Sequence, residues 1–266
     1  MKTRKKSEIV GRIKSLEEVD SYLTMLTYGK SGTGKTVFGA SWPKPLLLLD
    51  VREKGVESIT DVKGIDLIEV ERWKDFDEIY WDVLSGGSKY KSIMLDQLTA
   101  AQSLGMAELR ERKGMKASEP FSQRAWGQLS GMMQEMIYNY RELYSEGYHV
   151  LFNAHERLRE PNEEDDDRIA PSVGSNLMQS VASFANGAVS VIGNTFIREF
   201  VDKKAKTSEI QYCMRVGPHA YYAAKLRRPV SAGPVPDVIV NPTFDKIIKL
   251  SKGERLSRKI KVRRSK

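Results

Sequence analysis

Eight consecutive residues, Gly29-Lys30-Ser31-Gly32-Thr33-Gly34-Lys35-Thr36, have the composition and spacing of a phosphate-binding P-loop. Glycines let the backbone wrap a phosphate chain with its N–H groups turned inward, at the positive end of the helix that follows. In that geometry Lys35 reaches the β- and γ-phosphates and the Thr36 hydroxyl takes a Mg²⁺ ion. Residues Gly29 to Val37 are therefore the expected contacts of a bound nucleoside triphosphate, with ATP and Mg²⁺ as the expected cofactors.

Such a loop needs a second acid at the end of a neighbouring apolar strand to complete the Mg²⁺ shell. Asp96, after Ile93-Met94-Leu95, fits that Walker B role and also suits a helix N-cap. Hydrolysis further needs a group to orient or deprotonate water. Asp50 and Glu53, just past the Leu46–Leu49 run, are placed for it, with Glu53 the first candidate. His155 and Glu156 end another apolar run, where a polar γ-phosphate sensor belongs, and His155 is assigned that role.

The elements that must hold these residues read as an α/β chain. Tyr22–Tyr28, Leu46–Asp50, Asp66–Val70, Ser92–Asp96 and His149–His155 are short apolar runs. Helical stretches alternate with them, near Phe76–Leu84, Thr99–Arg112 and Ser122–Tyr144. That alternation predicts a parallel sheet with crossover helices. From Arg157 to Pro171 the pattern becomes polar and strongly acidic and reads as an exposed loop. A helix is expected at about Asn176–Phe184, then strands near Val189–Ile192, Thr195–Val201 and Ile210–Val216. An irregular Pro/Gly stretch follows over Pro229–Pro242, then a last short helix near Ile247.

Composition narrows the setting. The single cysteine, Cys213, excludes an intrachain disulfide and a cysteine metal site. No apolar run approaches the roughly 18 residues of a membrane span, and the basic N-terminus lacks a signal-peptide core. A cytoplasmic protein without a membrane partner is the expectation. The formal charge of +8 is uneven: residues 1–14 carry a net +5 and residues 251–266 a net +7, leaving −4 between them. Residues 21–250 read as one domain, flanked by a basic arm at 1–20 and a basic, disordered tail at 251–266. Basic arms suit salt-sensitive contacts to nucleic-acid phosphates, or simply keep the ends soluble.

From about Tyr22 to Ile247 the chain resembles the short RecA-like ATPases of bacteriophages that act in single-strand annealing and recombination. The motifs carrying the resemblance are the P-loop, the Trp42-Pro43-Lys44-Pro45 turn, IMLDQLTAA at 93–101, FNAHER at 152–157 and AAKLR at 223–227. The resemblance implies a mostly parallel central sheet flanked by helices, with antiparallel strands near the C-terminus. It also implies ATP hydrolysis, single-stranded DNA as partner, and self-association with nucleotide at the subunit edge. Phage single-strand-binding or recombination proteins are further implied partners, and the host cytoplasm the implied location. In related hexamers and filaments a K-x-R pair reaches the neighbour's γ-phosphate, which would be Lys225 and Arg227 here.

Two departures stand out. Glu163-Glu164-Asp165-Asp166-Asp167 puts five negative charges in the segment, about Leu158–Asn176, that corresponds to a DNA-binding loop. After Asp50, where the family has an acid two residues on, Arg52 stands instead and Glu53 follows, so Glu53 substitutes only through a one-residue bulge. Two other readings use the same loop. Lys30 matches the signature lysine of partitioning ATPases, although Ser31 replaces a glycine of their motif. A small-molecule kinase would share the P-loop, but the chain shows no arginine-rich lid.

Overall fold

The structure, a computed structural model, describes residues 22–86, 89–160, 172–202 and 207–256. The acidic run 163–167, the N-terminal arm and the end of the basic tail lie outside the described residues.

Three strands, β1 (Thr24–Gly29), β2 (Leu46–Asp50) and β4 (Ser92–Asp96), are buried at every position. Their mostly apolar sequences are what a parallel sheet covered on both faces demands. With β3 (Ile65–Glu69), β5 (His149–Arg159) and the first part of β7 (Val191–Asp202) they form a parallel core. Antiparallel strands extend it: β8 (Thr207–Arg215) and β9 (Lys225–Leu226) on β7, and β10 (Ile239–Val240) on β8. The order is β10-β8-β7-β1-β5-β4-β2-β3, with β6 (Ser172–Ser175) added antiparallel to β5. This is the mostly parallel sheet with antiparallel strands toward the C-terminus that a RecA-like fold requires.

Alternation along the strands supplies two cores. Leu47 and Leu49 face a layer built from α2 (Trp73–Ser85), α3 (Leu98–Arg112), α4 (Gln123–Glu142) and α5 (Gln179–Ala188). Leu46 and Leu48 face the other layer, with Phe38 of α1 (Lys35–Gly39), Trp42, and Phe244 and Ile247 of α6 (Phe244–Ser251). Gly39 brings α1 down onto the sheet, because a Cβ there would crowd Met94 and lie 3.2 Å from Leu151 Cδ2.

Three boundaries differ from the sequence reading. β5 does not stop at His155 but runs to Arg159, because β6 pairs with it through Glu156↔Ser175 to Arg159↔Ser172. The two strands expected around Gly193 are one strand, β7. Gly193 marks a close approach rather than a break, since a Cβ there would lie 2.8 Å from Met25 Cε and Met214 Sδ. The helix expected from Asn176 starts at Gln179, because the preceding N–H groups donate elsewhere: Asn176 to His155 O (2.7 Å) and Met178 to Gln102 Oε1 (2.8 Å).

The start of β5 is pinned by His149. Its Nδ1 accepts the Leu23 N–H (2.9 Å), and its ring packs 5.2 Å from Tyr22 and 4.8 Å from Phe244, centroid to centroid. Burial pushes this imidazole down to about 4. The unfolded chain therefore takes up the proton first, and stability present above pH 6.5 is lost as pH falls through 6.5 toward 4. With allowance for the solvent still around the ring, His149→Phe is expected to lose about 1 kcal/mol less stability than the wild type between pH 7 and pH 5. Urea unfolding at the two pH values reads the difference.

Candidate active site

The P-loop leaves β1 at Gly29, in parallel register between His155 of β5 and Thr195 of β7. A Cβ at Gly29 would collide with the backbone and hydroxyl of Thr195, so only glycine lets the loop settle there. Gly32 (φ 77°) and Gly34 (φ 85°) adopt left-handed conformations that turn the chain around the loop. Thr33 Oγ1 locks the turn by donating to Lys30 O and meeting Thr195 Oγ1, each at 2.8 Å. Lys35 is 8% exposed, and its ammonium donates to Gly29 O and Lys30 O at 3.0 Å. Burial pushes the lysine pKa down, and the charges of Asp96, Glu53 and Glu156 oppose that shift.

The Thr36 hydroxyl donates to Asp96 Oδ2 at 2.7 Å, joining the loop to the end of β4. Burial pushes the Asp96 carboxyl up from its ordinary value, while the Thr36 hydroxyl, the Asn153 side chain and the Lys35 ammonium pull it back. Two hard oxygens, one able to carry charge, face each other across the loop. That donor set fits Mg²⁺, which prefers one or two carboxylate oxygens beside phosphate oxygens.

Asp50, in register with Asp96 across β2 and β4, does something else. Its Oδ1 accepts the N–H of Glu53 (2.9 Å), and its carboxylate accepts that of Lys54 (3.1 Å to Oδ2). These bonds hold a bulge in which Arg52 (φ 62°) and Lys54 (φ 50°) are left-handed. Arg52 turns away to donate to Glu71 O at 2.9 Å, and Glu53 turns toward His155, with Oε1 3.5 Å from Nε2. Gln97, 2% exposed, brings its amide nitrogen 2.6 Å from the same His155 nitrogen. Beyond His155, Glu156 Oε2 accepts from Asn194 Nδ2 (3.1 Å), whose Oδ1 accepts from Arg215 Nη1 (3.0 Å).

Several of these groups line one cavity of about 760 Å³. It gathers Ser31 to Val37 of the loop, Glu53, Asp96, Gln97 and His155; Lys30 is exposed and not part of the lining. Lys225 and Arg227 stand elsewhere. β9 pairs with the start of β7, at Val191 and Ile192, toward the opposite end of the sheet from the P-loop. There Lys225 donates to Asn186 O and Arg227 to Gly187 O (3.0 Å), on the last turn of α5, where cations suit the helix dipole. Burial and the neighbouring Arg227 push Lys225 down to about 8.

Sequence reasoning missed Gln97, Thr195, Tyr212 and the Asn241–Thr243 segment, all at or beside the cavity. Gln97 had a signal, since it directly follows the Walker B acid. Thr195 and Tyr212 had none, because their place depends on how β7 and β8 pair.

Asp96 is expected to trade stability for function. A carboxyl held above its unfolded value loses stability as pH rises through that interval, so at pH 7 its charge is unfavourable in the metal-free protein. Asp96→Asn should raise the free energy of unfolding of the metal-free chain by on the order of 1 kcal/mol. The same change should abolish the gain in ATP affinity caused by Mg²⁺. Urea unfolding and calorimetric titration with and without Mg²⁺ check the two halves.

A stretch of 103 residues, 38% of this chain, is 35% identical to the Replication factor C small subunit of Haloarcula marismortui, of whose length it covers 30%. The flagellar accessory protein FlaH from Methanocaldococcus jannaschii is similar at TM-score 0.43 and 10% identity, over 82% of this chain and 84% of that one. The KaiC-like protein PH0186 from Pyrococcus horikoshii OT3 is similar at TM-score 0.40 and 12% identity, over 83% and 89%. Residues 21–228 match the AAA domain family, a span that takes in the P-loop and every other residue lettered above from Glu53 to Arg227. Matched over most of its length and carrying the loop that defines such enzymes, the chain belongs to the AAA domain family of P-loop ATPases.

Proposed function

We propose that this protein is a Mg²⁺-dependent ATPase of the RecA-like type that acts on single-stranded DNA in phage recombination, annealing or replication. The observation that carries the catalytic half is the meeting of Glu53, Gln97 and His155 beside the Thr36–Asp96 pair. Mg²⁺ held by Thr36 and Asp96 would supply charge neutralisation at the β- and γ-phosphates. Lys35, which now donates to carbonyl oxygens of its own loop, exchanges them for phosphate oxygens. Glu53 orients the attacking water and takes its proton. His155, held by Gln97, contacts the γ-phosphate and registers its loss.

In this reading residues 21–250 form the ATPase domain and the basic arms hold DNA, because their charge is opposite to that of the body. Lys225 and Arg227 lie too far from their own P-loop to serve it, so they would act on a neighbouring subunit's nucleotide, after leaving α5. The likeness of 103 residues to a replication factor subunit is in keeping with work on DNA. Among the described residues no helix is long and apolar enough to cross a membrane. Action in the host cytoplasm is part of the proposal.

Glu53→Gln is expected to lower the ATPase rate about 100-fold while ATP affinity stays within a few-fold. ATPase rates measured with and without single-stranded DNA across a salt series test the second half. The full chain should bind DNA, be stimulated by it, and lose affinity as salt rises. A chain ending at Leu256, which lacks the last ten residues, should bind at least tenfold more weakly with a shallower salt slope. No DNA binding at low salt and no stimulation would refute the DNA assignment and leave an ATPase with another target.

A further inference from the structure

The cavity reaches both sides of the P-loop strand, and its two ends differ in chemistry. Asp96, Gln97, His155 and Glu53 mark the γ-phosphate end, on the β5 and β4 side of the P-loop strand. On the other side, β8 brings Tyr212, and the segment after β10 brings Asn241, Pro242 and Thr243. β4 and β8 are each two strands from β1, on opposite sides of it, so the two ends of the cavity flank the P-loop. A nucleoside triphosphate with its γ-phosphate at the Asp96 end has its nucleoside on the other side of the loop.

The Tyr212 end is built to receive a flat ring. The tyrosine packs on the P-loop itself: a Cβ at Gly34 would lie 3.1 Å from Tyr212 Cδ1, so with any other residue the ring would have to give by a few tenths of an ångström. Yet Tyr212 remains 45% exposed, with ring surface left toward the cavity. Asn241 is fixed opposite in a left-handed conformation (φ 47°). Its N–H donates to Tyr212 O (2.7 Å), and Lys246 Nζ holds the carbonyls of Val240 and Asn241, both at 2.7 Å. The segment is tied to the P-loop helix as well, because Phe244 N–H donates to Ser41 Oγ at 2.9 Å. The backbone around Asn241 is thus fully engaged, and its exposed carboxamide is the group left to read a ligand.

We propose that Tyr212 and Asn241 form a nucleobase site selective for adenine. The Tyr212 ring stacks on the base, and the Asn241 carboxamide pairs with its N6-amino and N7 edge, one donor and one acceptor on each partner. Guanine presents two acceptors on that edge and satisfies only half of the carboxamide. The inference rests on the reading of the P-loop as a triphosphate site, and the test separates the two.

Binding of ATP, GTP and inorganic tripolyphosphate to the full chain in Mg²⁺ is measured for wild type, Tyr212→Ala, Tyr212→Phe and Asn241→Ala. Tyr212→Ala should weaken ATP binding about tenfold and leave tripolyphosphate binding unchanged, and Tyr212→Phe should keep the wild-type ATP affinity. Asn241→Ala should bring the ATP and GTP affinities within about twofold of each other. Equal losses for ATP and tripolyphosphate in Tyr212→Ala would overturn the stacking role and make the ring a prop for the loop. An unchanged ATP affinity in Tyr212→Ala would overturn it too, and an unchanged ATP to GTP ratio in Asn241→Ala would overturn the selectivity. If the wild type binds neither ATP nor tripolyphosphate, the triphosphate reading and the base site fall together.

Discussion

The contact between Gly29 and Thr195 is the constraint on which the site depends. Because no side chain fits at Gly29, the loop leaves β1 directly against β7 instead of rising over it. Thr195 then reaches Thr33 and closes the turn, and Gly34 is left near enough to β8 for Tyr212 to pack on it. The same placement puts Thr36 within a hydrogen bond of Asp96, two strands away on the opposite side. One residue without a Cβ therefore sets the position of the loop relative to both walls of the cavity.

Two aspartates show how the environment divides identical positions between different tasks. Asp50 and Asp96 each end a buried apolar strand, and they are partners in the β2–β4 register. Asp50 spends its oxygens on the backbone of the next turn, which produces the bulge that aims Glu53 inward and Arg52 outward. Asp96 meets only side chains, so an oxygen can be released to a metal without unravelling the chain. Its buried carboxyl is held at a cost in stability, as expected where function requires a charge in a poor solvent.

The local parts of this design were legible in the chain. The bounds of β2 and β4 follow from runs of four leucines and of Ile-Met-Leu ending in acid, since such runs satisfy only a doubly covered strand. The P-loop and Asp96 carry their own spacing. What could not be read is what depends on pairing at long range. Gly193 looks like a strand break until Met25 and Met214 are seen crossing it from neighbouring strands. Residues Arg157 to Arg159 look like loop until β6 supplies their partners from beyond the acidic run. Tyr212 is one aromatic among several in a two-stranded extension, and only the position of β8 brings it to Gly34. Lys225 and Arg227 had a motif, but their present contacts on α5 belong to the packing of β9.

The unbroken run of β5 gives the molecule a stiff arm. His155, in the cavity lining, and Arg159, at the end of the pairing with β6, sit on one strand four residues and about 13 Å apart. Ladder hydrogen bonds span this interval, so there is no joint in it to absorb a displacement. In the proposed role of His155, a displacement at the histidine would therefore be carried along the strand to the β5–β6 ribbon rather than absorbed before it.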